Sequence, residues 1–339
     1  MELDFQKFYL VLFIVYCVSR HFDGPETKLT HSMVGQTIVI TGGDSHIGWE
    51  TVKDLLKNGA RVVLACRNET KTNDLLKTLP EDQKKRASFI KLDLAHFDAI
   101  KAFVEELKQK IGKIDILVNN AGTCFQNVDL VDGLDITFST NFAGHLLLTC
   151  LLLDNFNPKG RIVNVCTKKY QRISQSQFDS WVSDKNLDWS YHKYVDDWMK
   201  VYVFSKFCNL LHSIYLKEYL EKYGLNLKAC CVHPGYVKNN FFECIHTPYW
   251  SFRTFCMLPS RYLFFKSLRM GAQTHLHACY YSYENLPSGC FLKDCKVKSL
   301  LKSACFENAK KLMGFTKKVF EKNGIAQDNE DVMKFFSLA

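Results

Sequence analysis

Gln36-Thr-Ile-Val-Ile-Thr-Gly-Gly-Asp-Ser-His-Ile-Gly48 decides the fold. Its β-branched apolar run reads as a buried strand ending at Thr41, followed by a tight turn over Gly42–Gly48. Trp49–Asn58 then reads as a helix closed by Gly59. Gly42 directly after the strand and Gly48 at the head of the helix place backbone N–H groups and the helix dipole where a pyrophosphate would sit. The glycine turn alone reads equally well as an ordinary strand–helix loop.

Outward from this unit the same alternation repeats. Strands are expected at Arg61–Cys66, Ala87–Leu92, Ile114–Val118, Arg161–Val165 and Leu225–Val232, with helices at Ala99–Ile111, Ile136–Leu153 and Val201–Tyr223. Strands and helices alternating at this interval imply a parallel sheet with right-handed crossovers. No linker splits residues 35–315, so one α/β domain is expected. Residues 1–21 form a hydrophobic N-terminal segment, 22–34 a linker and 316–339 a polar tail. Arg67 follows the second strand, where an adenosine ribose is expected. An arginine there suits a 2′-phosphate, so NADP is favoured over NAD. Asp93 closes the third strand, either near an adenine or as a helix N-cap.

Tyr202-Val-Phe-Ser-Lys206 stacks a phenol and an ammonium on one helix face. A cation there is expected to lower the phenol's pKa and make Tyr202 a general acid/base near neutrality.

The bulk numbers exclude some classes. The 339 residues carry a net charge of +9, with 47% apolar and 23% charged residues. The basic residues are scattered, without the dense run of a nucleic-acid binder. The 14 cysteines show no disulfide-framework spacing and no C-x-x-C pair, which favours a reducing compartment. Asn68-Glu-Thr70 is a glycosylation sequon, but a glycan there would obstruct the cofactor position. The apolar stretch Phe8–Val18 is short for a membrane span. An anchor is the favoured reading, beside a docked helix and a cleaved signal, and the positive flank Arg20-His21 keeps the main body cytosolic. His275-x-His277-x-Cys279 lacks further ligands, so no metal site is read there. Phe241–Phe265 is aromatic-rich and suits an apolar substrate or a membrane surface.

The set Thr41–Gly48, Asn119-Asn-Ala-Gly122, Asn141, Tyr202-x-x-x-Lys206 and Pro234-Gly235 resembles the short-chain dehydrogenase/reductase family in order and spacing. Ala65-Cys-Arg67, Gly144-His-Leu-Leu-Leu-Thr149, Val232-His-Pro-Gly235 and Gly271-Ala-Gln-Thr-His-Leu-His277 resemble its retinol-dehydrogenase-like branch. The resemblance covers about residues 35–315. It implies a Rossmann-type doubly wound sheet of about seven strands, flanked by helices, in a single domain with a substrate lid over about 236–270. It implies Tyr202 as proton donor and acceptor, and Lys206 as the group that binds the nicotinamide ribose and acidifies Tyr202. Asn141 would hold a relay water, and Thr167 would polarise the substrate carbonyl. The cofactor would be held by Gly42, Gly43, Asp44, Ser45, His46, Ile47, Gly48, Arg67, Asp93, Asn120, Ala121, Gly122, Tyr202, Lys206, Pro234, Gly235 and Val237.

Three departures stand out. Cys166-Thr167 replaces the usual serine pair, and its extra methyl is expected to reduce activity. His46 stands where the family's turn has glycine, with narrowing or an unfavourable φ as the expected cost and a phosphate contact as the alternative. The segment Lys168–Lys200 is longer than usual, either at the mouth of the site or a peripheral insertion. The expectation is an NADP-dependent oxidoreductase that interconverts a lipophilic alcohol and its carbonyl: a retinoid, a steroid or a long-chain aldehyde. It would be held at a membrane, the endoplasmic reticulum by resemblance, with its catalytic domain in the cytosol. A homodimer through the two long helices and a monomer are both open. The alternative is a catalytically impaired relative acting as a binding or scaffold protein.

Overall fold

The computed structural model describes residues 24–29, 32–125, 129–187, 198–238, 265–325 and 329–339. The expected anchor, most of the expected lid and Trp189, Tyr191 and Tyr194 of the long insertion lie outside them.

An eight-stranded sheet runs in the order β10-β9-β8-β7-β4-β1-β2-β3. Its strands are β1 (Thr37–Thr41), β2 (Arg61–Cys66), β3 (Ala87–Lys91), β4 (Ile114–Asn119), β7 (Phe156–Val165), β8 (Leu227–His233), β9 (Cys290–Lys293) and β10 (Lys296–Lys298). β5 (Leu130–Val131) and β6 (Leu134–Asp135) form a separate small hairpin. All neighbours in the large sheet are parallel except the edge pair β9/β10. The chain winds outward from β1 through β2 to β3, then returns to place β4 on the other side of β1. That reversal opens a crevice at the carboxyl ends of β1 and β4, where this architecture takes ligands.

Alternation along the strands divides the core in two. Val39, Val63, Leu117 and Ile162 point to one face. They meet α3 (Phe97–Lys110), α4 (Gly144–Leu152) and α5 (Trp198–Lys222). Ile38, Ile40, Val62, Leu64, Ile116 and Val163 point to the other face. There they meet α1 (His46–Lys57) and α6 (Leu268–Tyr280), while the polar α2 (Glu69–Lys77) contributes Leu76 at the margin. Each fully buried aliphatic side chain contributes roughly 1.5–3 kcal/mol relative to exposure.

The expected helix over Ile136–Leu153 is present but interrupted. A π-helical turn at Ser139–Ala143 separates Ile136–Phe138 from α4, so Asn141 sits in a widened turn. Ile136–Asn155 is long and apolar enough to span a membrane, yet it is largely buried as a core helix.

The C-terminal segment differs from the expected polar tail. α7 (Phe306–Lys322) runs through residue 315 and buries Leu312, Met313, Phe315, Val319 and Phe320. α8 (Glu330–Phe335) buries Val332 and Phe335 beside Tyr215 and Tyr219 of α5. The apolar stripe of α7 lies among lysines and glutamates, which conceals it in a composition count.

The linker residues 24–29 lie across α6. The Thr27 amide donates to Gln273 Oε1 (2.9 Å), the Thr27 hydroxyl pairs with His277 Nδ1 (3.0 Å), and Glu26 pairs with Arg269 (3.3 Å).

Candidate active site

A cavity of about 590 Å³ occupies the crevice, lined from the ends of β1, β2, β3, β4, β7 and β8 and from α1, α5 and α6. At one end stand Arg67, Asn68, Lys71 and Asp93, and at the other Thr167, Tyr202, Lys206 and His233–Val237.

The turn between β1 and α1 is built for close approach. Gly42 has φ +61°, a conformation glycine adopts without strain. A Cβ on Gly48 would lie 2.3 Å from the Gly42 carbonyl, so glycine lets the helix head close onto the turn. No side chain caps α1, and Ser45, His46 and Ile47 at its head face the cavity. Gly43 packs inward against Ile40, Leu64 and Val52 and acts through packing. His46 is in helical backbone, exposed at the cavity rim. The strain considered for a left-handed residue at this position therefore does not arise.

Asn120 ties the opposite wall to this turn, donating to the carbonyls of Thr41 (2.9 Å) and Gly42 (3.2 Å). The Ala121 amide donates to Thr41 Oγ1 (2.9 Å). A Cβ on Gly122 would approach Lys206 Nζ to 2.8 Å, so the small residue makes room for that ammonium.

At the Arg67 end, Lys71 pairs with Asp44 across the cavity mouth (3.1 Å). Asn68 caps α2 by accepting from the Lys71 amide (2.9 Å). Asp93 accepts from the Ala95 amide (3.0 Å), so it closes a short turn, while the first amide of α3, that of Phe97, donates to Asp132 (3.1 Å).

At the other end, Thr167 is buried on the cavity wall, and its Oγ1 accepts from the Lys169 amide (3.3 Å), which leaves its own hydrogen available to donate. Lys206 is buried, with Nζ 3.5 Å from the Ala121 carbonyl. Burial draws its ammonium down to about 8. Burial pushes the Tyr202 phenol up, with Cys124 and Cys166 adding to the effect. The expected acidification of Tyr202 is therefore not seen in the protein alone, where burial raises the phenol and Lys206 is not among the groups that act on it.

Asn141 lies behind this end. Its carboxamide accepts from the Thr123 amide (2.7 Å) and donates to the Thr123 carbonyl (2.9 Å) and Ser205 Oγ (3.0 Å). Its main-chain carbonyl accepts from Asn209 Nδ2 (2.9 Å) and pairs with His145 Nδ1 (3.0 Å). A carbonyl can only accept, so His145 carries its proton on Nδ1, and Nε2 accepts from the Thr41 hydroxyl (2.8 Å). Burial pushes His145 down to about 3 and keeps the ring neutral.

Several wall residues were given no site role in the sequence reading. Lys71 lies in the first turn of α2, directly after Arg67 and Asn68, a position that could have marked it. His233 and His275 stand in stretches quoted above as marks of the family branch, and nothing in those stretches shows that they line the cavity.

The cavity thus joins the glycine turn at the head of α1 to the tyrosine–lysine pair of α5. The family model for short chain dehydrogenases matches residues 36–177. Retinol dehydrogenase 14 of Mus musculus is 32% identical over 320 residues, covering 88% of this chain and 91% of the relative. The chain belongs to the short-chain dehydrogenase/reductase family, in its retinol-dehydrogenase-like branch. As a family member it is an NAD(P)-dependent oxidoreductase acting on CH–OH groups of small substrates. Among solved folds, a crystal structure of an uncharacterised Mycobacterium paratuberculosis protein superposes with TM-score 0.67 at 24% identity, covering 88% of this chain and 98% of that one. A short chain dehydrogenase from Burkholderia cenocepacia, solved in complex with NADP, superposes with TM-score 0.58 at 20% identity over 77% of this chain and 97% of that one.

Proposed function

We propose that this short-chain dehydrogenase/reductase is an NADP-dependent reductase of a lipophilic carbonyl, with Tyr202 as its proton donor. The observation that carries the reading is that Thr167, Tyr202 and Lys206 share one end of a cavity whose other end holds Arg67, Asn68 and Lys71. The uncapped head of α1 and its glycine turn fit a pyrophosphate, and Arg67 fits a 2′-phosphate.

The nicotinamide group, when bound, supplies the hydride. The protein's task is to orient the carbonyl and manage its oxygen. Tyr202, held protonated by burial, is in the form that reduction needs, and donates its phenolic proton to the nascent alkoxide. The Thr167 hydroxyl donates a hydrogen bond to the same oxygen. Lys206 orients the ribose and stabilises the phenolate that remains after proton transfer. Because its carbonyl is already engaged twice, Asn141 is assigned the bracing of the Lys206 pocket rather than the holding of a water.

Neither departure from the family pattern closes the site. His46 leaves the helix head in regular geometry, and Thr167 keeps a hydroxyl on the wall. A lipophilic substrate follows from the aromatic stretch Phe241–Phe265, and a membrane position in the endoplasmic reticulum from Phe8–Val18 and the branch.

One preparation tests this reading. Membranes from cells expressing the full chain should reduce retinaldehyde-like, steroid or long-chain carbonyls with NADPH, the activity sedimenting with the membranes. Tyr202→Phe should lower turnover by about 10²–10⁴-fold while NADPH binding persists. Full turnover in Tyr202→Phe would refute the assigned chemistry.

A further inference from the structure

Exposed apolar side chains are ordinary when scattered singly and informative when they cluster. Among the described residues seven large apolar side chains are exposed, and three of them, Val297, Leu300 and Leu301, fall within five consecutive positions. They lie on β10, the outermost strand of the sheet, and in the loop that leads from it to α7. Lys296, Lys298 and Lys302 are interleaved with them and are exposed as well. Residues 295–306 contain no acid. No ion pair joins any of these three lysines to a described residue. By contrast Lys310, Lys311, Lys317 and Lys318 of α7 pair with Glu307, Asp179, Glu321 and Asp184. Lysines on an edge strand deter pairing with another sheet, but that role does not call for apolar side chains between them.

The place of this patch in the fold points to what covers it. The β9–β10 turn is tied down at Asp294, which pairs with the buried Lys266 ammonium (2.7 Å). Gly24 packs on the same pair, since a Cβ there would lie 2.9 Å from Lys266 Nζ and 3.6 Å from Asp294 Oδ1. The chain that carries the apolar stretch Phe8–Val18 therefore joins the domain beside β10. Five residues separate Val18 from Gly24, so the end of that stretch lies within about 20 Å of this turn. On its other side, the Lys266 amide donates to the Tyr236 carbonyl (2.7 Å), and its carbonyl accepts from the Lys238 amide (2.9 Å). Tyr236 is half exposed and lines the Tyr202–Lys206 end of the cavity. The root of the N-terminal segment, the lysine-rich edge and that end of the cavity thus meet at one residue.

The chemistry of the patch selects its partner. Val297, Leu300 and Leu301 offer apolar surface of the kind that enters the boundary between headgroups and acyl chains. Lysine stems lie along such a surface while their ammonium groups stay in the headgroup layer, where anionic phosphates attract them. Apolar side chains interleaved with unpaired cations, with no acid among them, are the complement of an anionic lipid surface.

We propose that Lys296–Lys302 is a membrane-contact surface for anionic phospholipid, which lays the β10 edge of the sheet on the bilayer. The inference rests on the membrane reading above. It extends that reading from a tether to an orientation, in which the Tyr202 end of the cavity opens beside the lipid that dissolves a lipophilic carbonyl.

The test uses the full chain in nanodiscs of phosphatidylcholine, alone or with phosphatidylserine at about one lipid in four. The photoreactive residue p-benzoylphenylalanine replaces Val297 or Leu300. As a control it replaces Leu130, which is also exposed but lies beside Asp129 and Asp132. On irradiation the probes at 297 and 300 should crosslink to phospholipid about five-fold or more above the probe at 130, and more in the anionic discs than in the neutral ones. Lys296→Glu, Lys298→Glu and Lys302→Glu combined should bring the yield down to that at 130, with melting temperature unchanged. Equal lipid crosslinking at all three positions would overturn the proposal, as would a yield that the lysine changes leave intact. Crosslinks from 297 and 300 to a second copy of the chain, without lipid, would overturn it too and mark a dimer face. Full chain that does not enter the discs would overturn the membrane reading itself, an outcome distinct from entry without contact at β10.

Discussion

Burial draws the Lys206 ammonium to about 8, and this has a consequence for stability that needs no substrate. Between pH 8 and about 10.4, the ordinary value for lysine, an unfolded chain holds a proton on this group that the folded chain has shed. Stability therefore rises with pH across that window, because the unfolded state binds more protons. Below pH 8 both states are charged and the burial cost is constant. The cofactor-free chain should gain melting temperature between pH 8 and 10 relative to Lys206→Met. Parallel curves for the two proteins would contradict a depressed lysine. At this scale Tyr202 and Lys206, named from their spacing, and Thr167 and Asn120, named from the family resemblance, all line the cavity. The sign of the shift on Tyr202 was not legible. Spacing reveals the nearby cation, while burial of the phenol and its approach to Cys124 and Cys166 arise only in the fold. His145 and His275 were quoted only as parts of motifs, because their burial arises only in the fold.

At the scale of elements, the first βαβ unit depends on a helix that starts almost in contact with the strand before it. Gly48→Ala would place a methyl 2.3 Å from the Gly42 carbonyl, 2.8 Å from Ser45 Oγ and 2.9 Å from Asn120 Nδ2. Turn and helix would have to separate, so this variant should bind NADPH at least ten-fold more weakly and melt lower than wild type. Unchanged affinity in isothermal titration would mean that the turn does not form the phosphate site. The strands of this unit were readable to within a residue, because buried parallel strands are written as continuous β-branched runs. The π-helical turn at Ser139–Ala143 was not readable. It lies inside an apolar stretch whose pattern also fits an unbroken helix, and the hydrogen bonds that mark it come from Asn209, Thr123 and Ser205, distant in sequence.

The molecule as a whole is closed by α7 and α8, of which the sequence reading set aside the part beyond residue 315 as a tail. Phe335 is fully buried, in ring contact with His212, Tyr215 and Tyr219, and the Tyr215 hydroxyl donates to its carbonyl (2.8 Å). Phe335→Ala should destabilise the protein by about 3–5 kcal/mol. In a urea titration the midpoint should fall with little change in slope, and an unshifted midpoint would show that α8 is not part of the cooperative unit. The doubly wound sheet was legible from the alternation of strands and helices. The C-terminal cap was not, since its apolar residues are spaced at helical intervals among lysines. The central claim, a dinucleotide site tuned to a 2′-phosphate, spans this whole sheet edge. Its most direct measurement is the affinity of the full chain for NADPH and NADH, in wild type and in Arg67→Ala. The account predicts NADPH bound at least ten-fold more tightly than NADH, with that ratio collapsing toward one in Arg67→Ala. Equal affinities in wild type would contradict the assigned cofactor preference, and binding of neither would contradict the site.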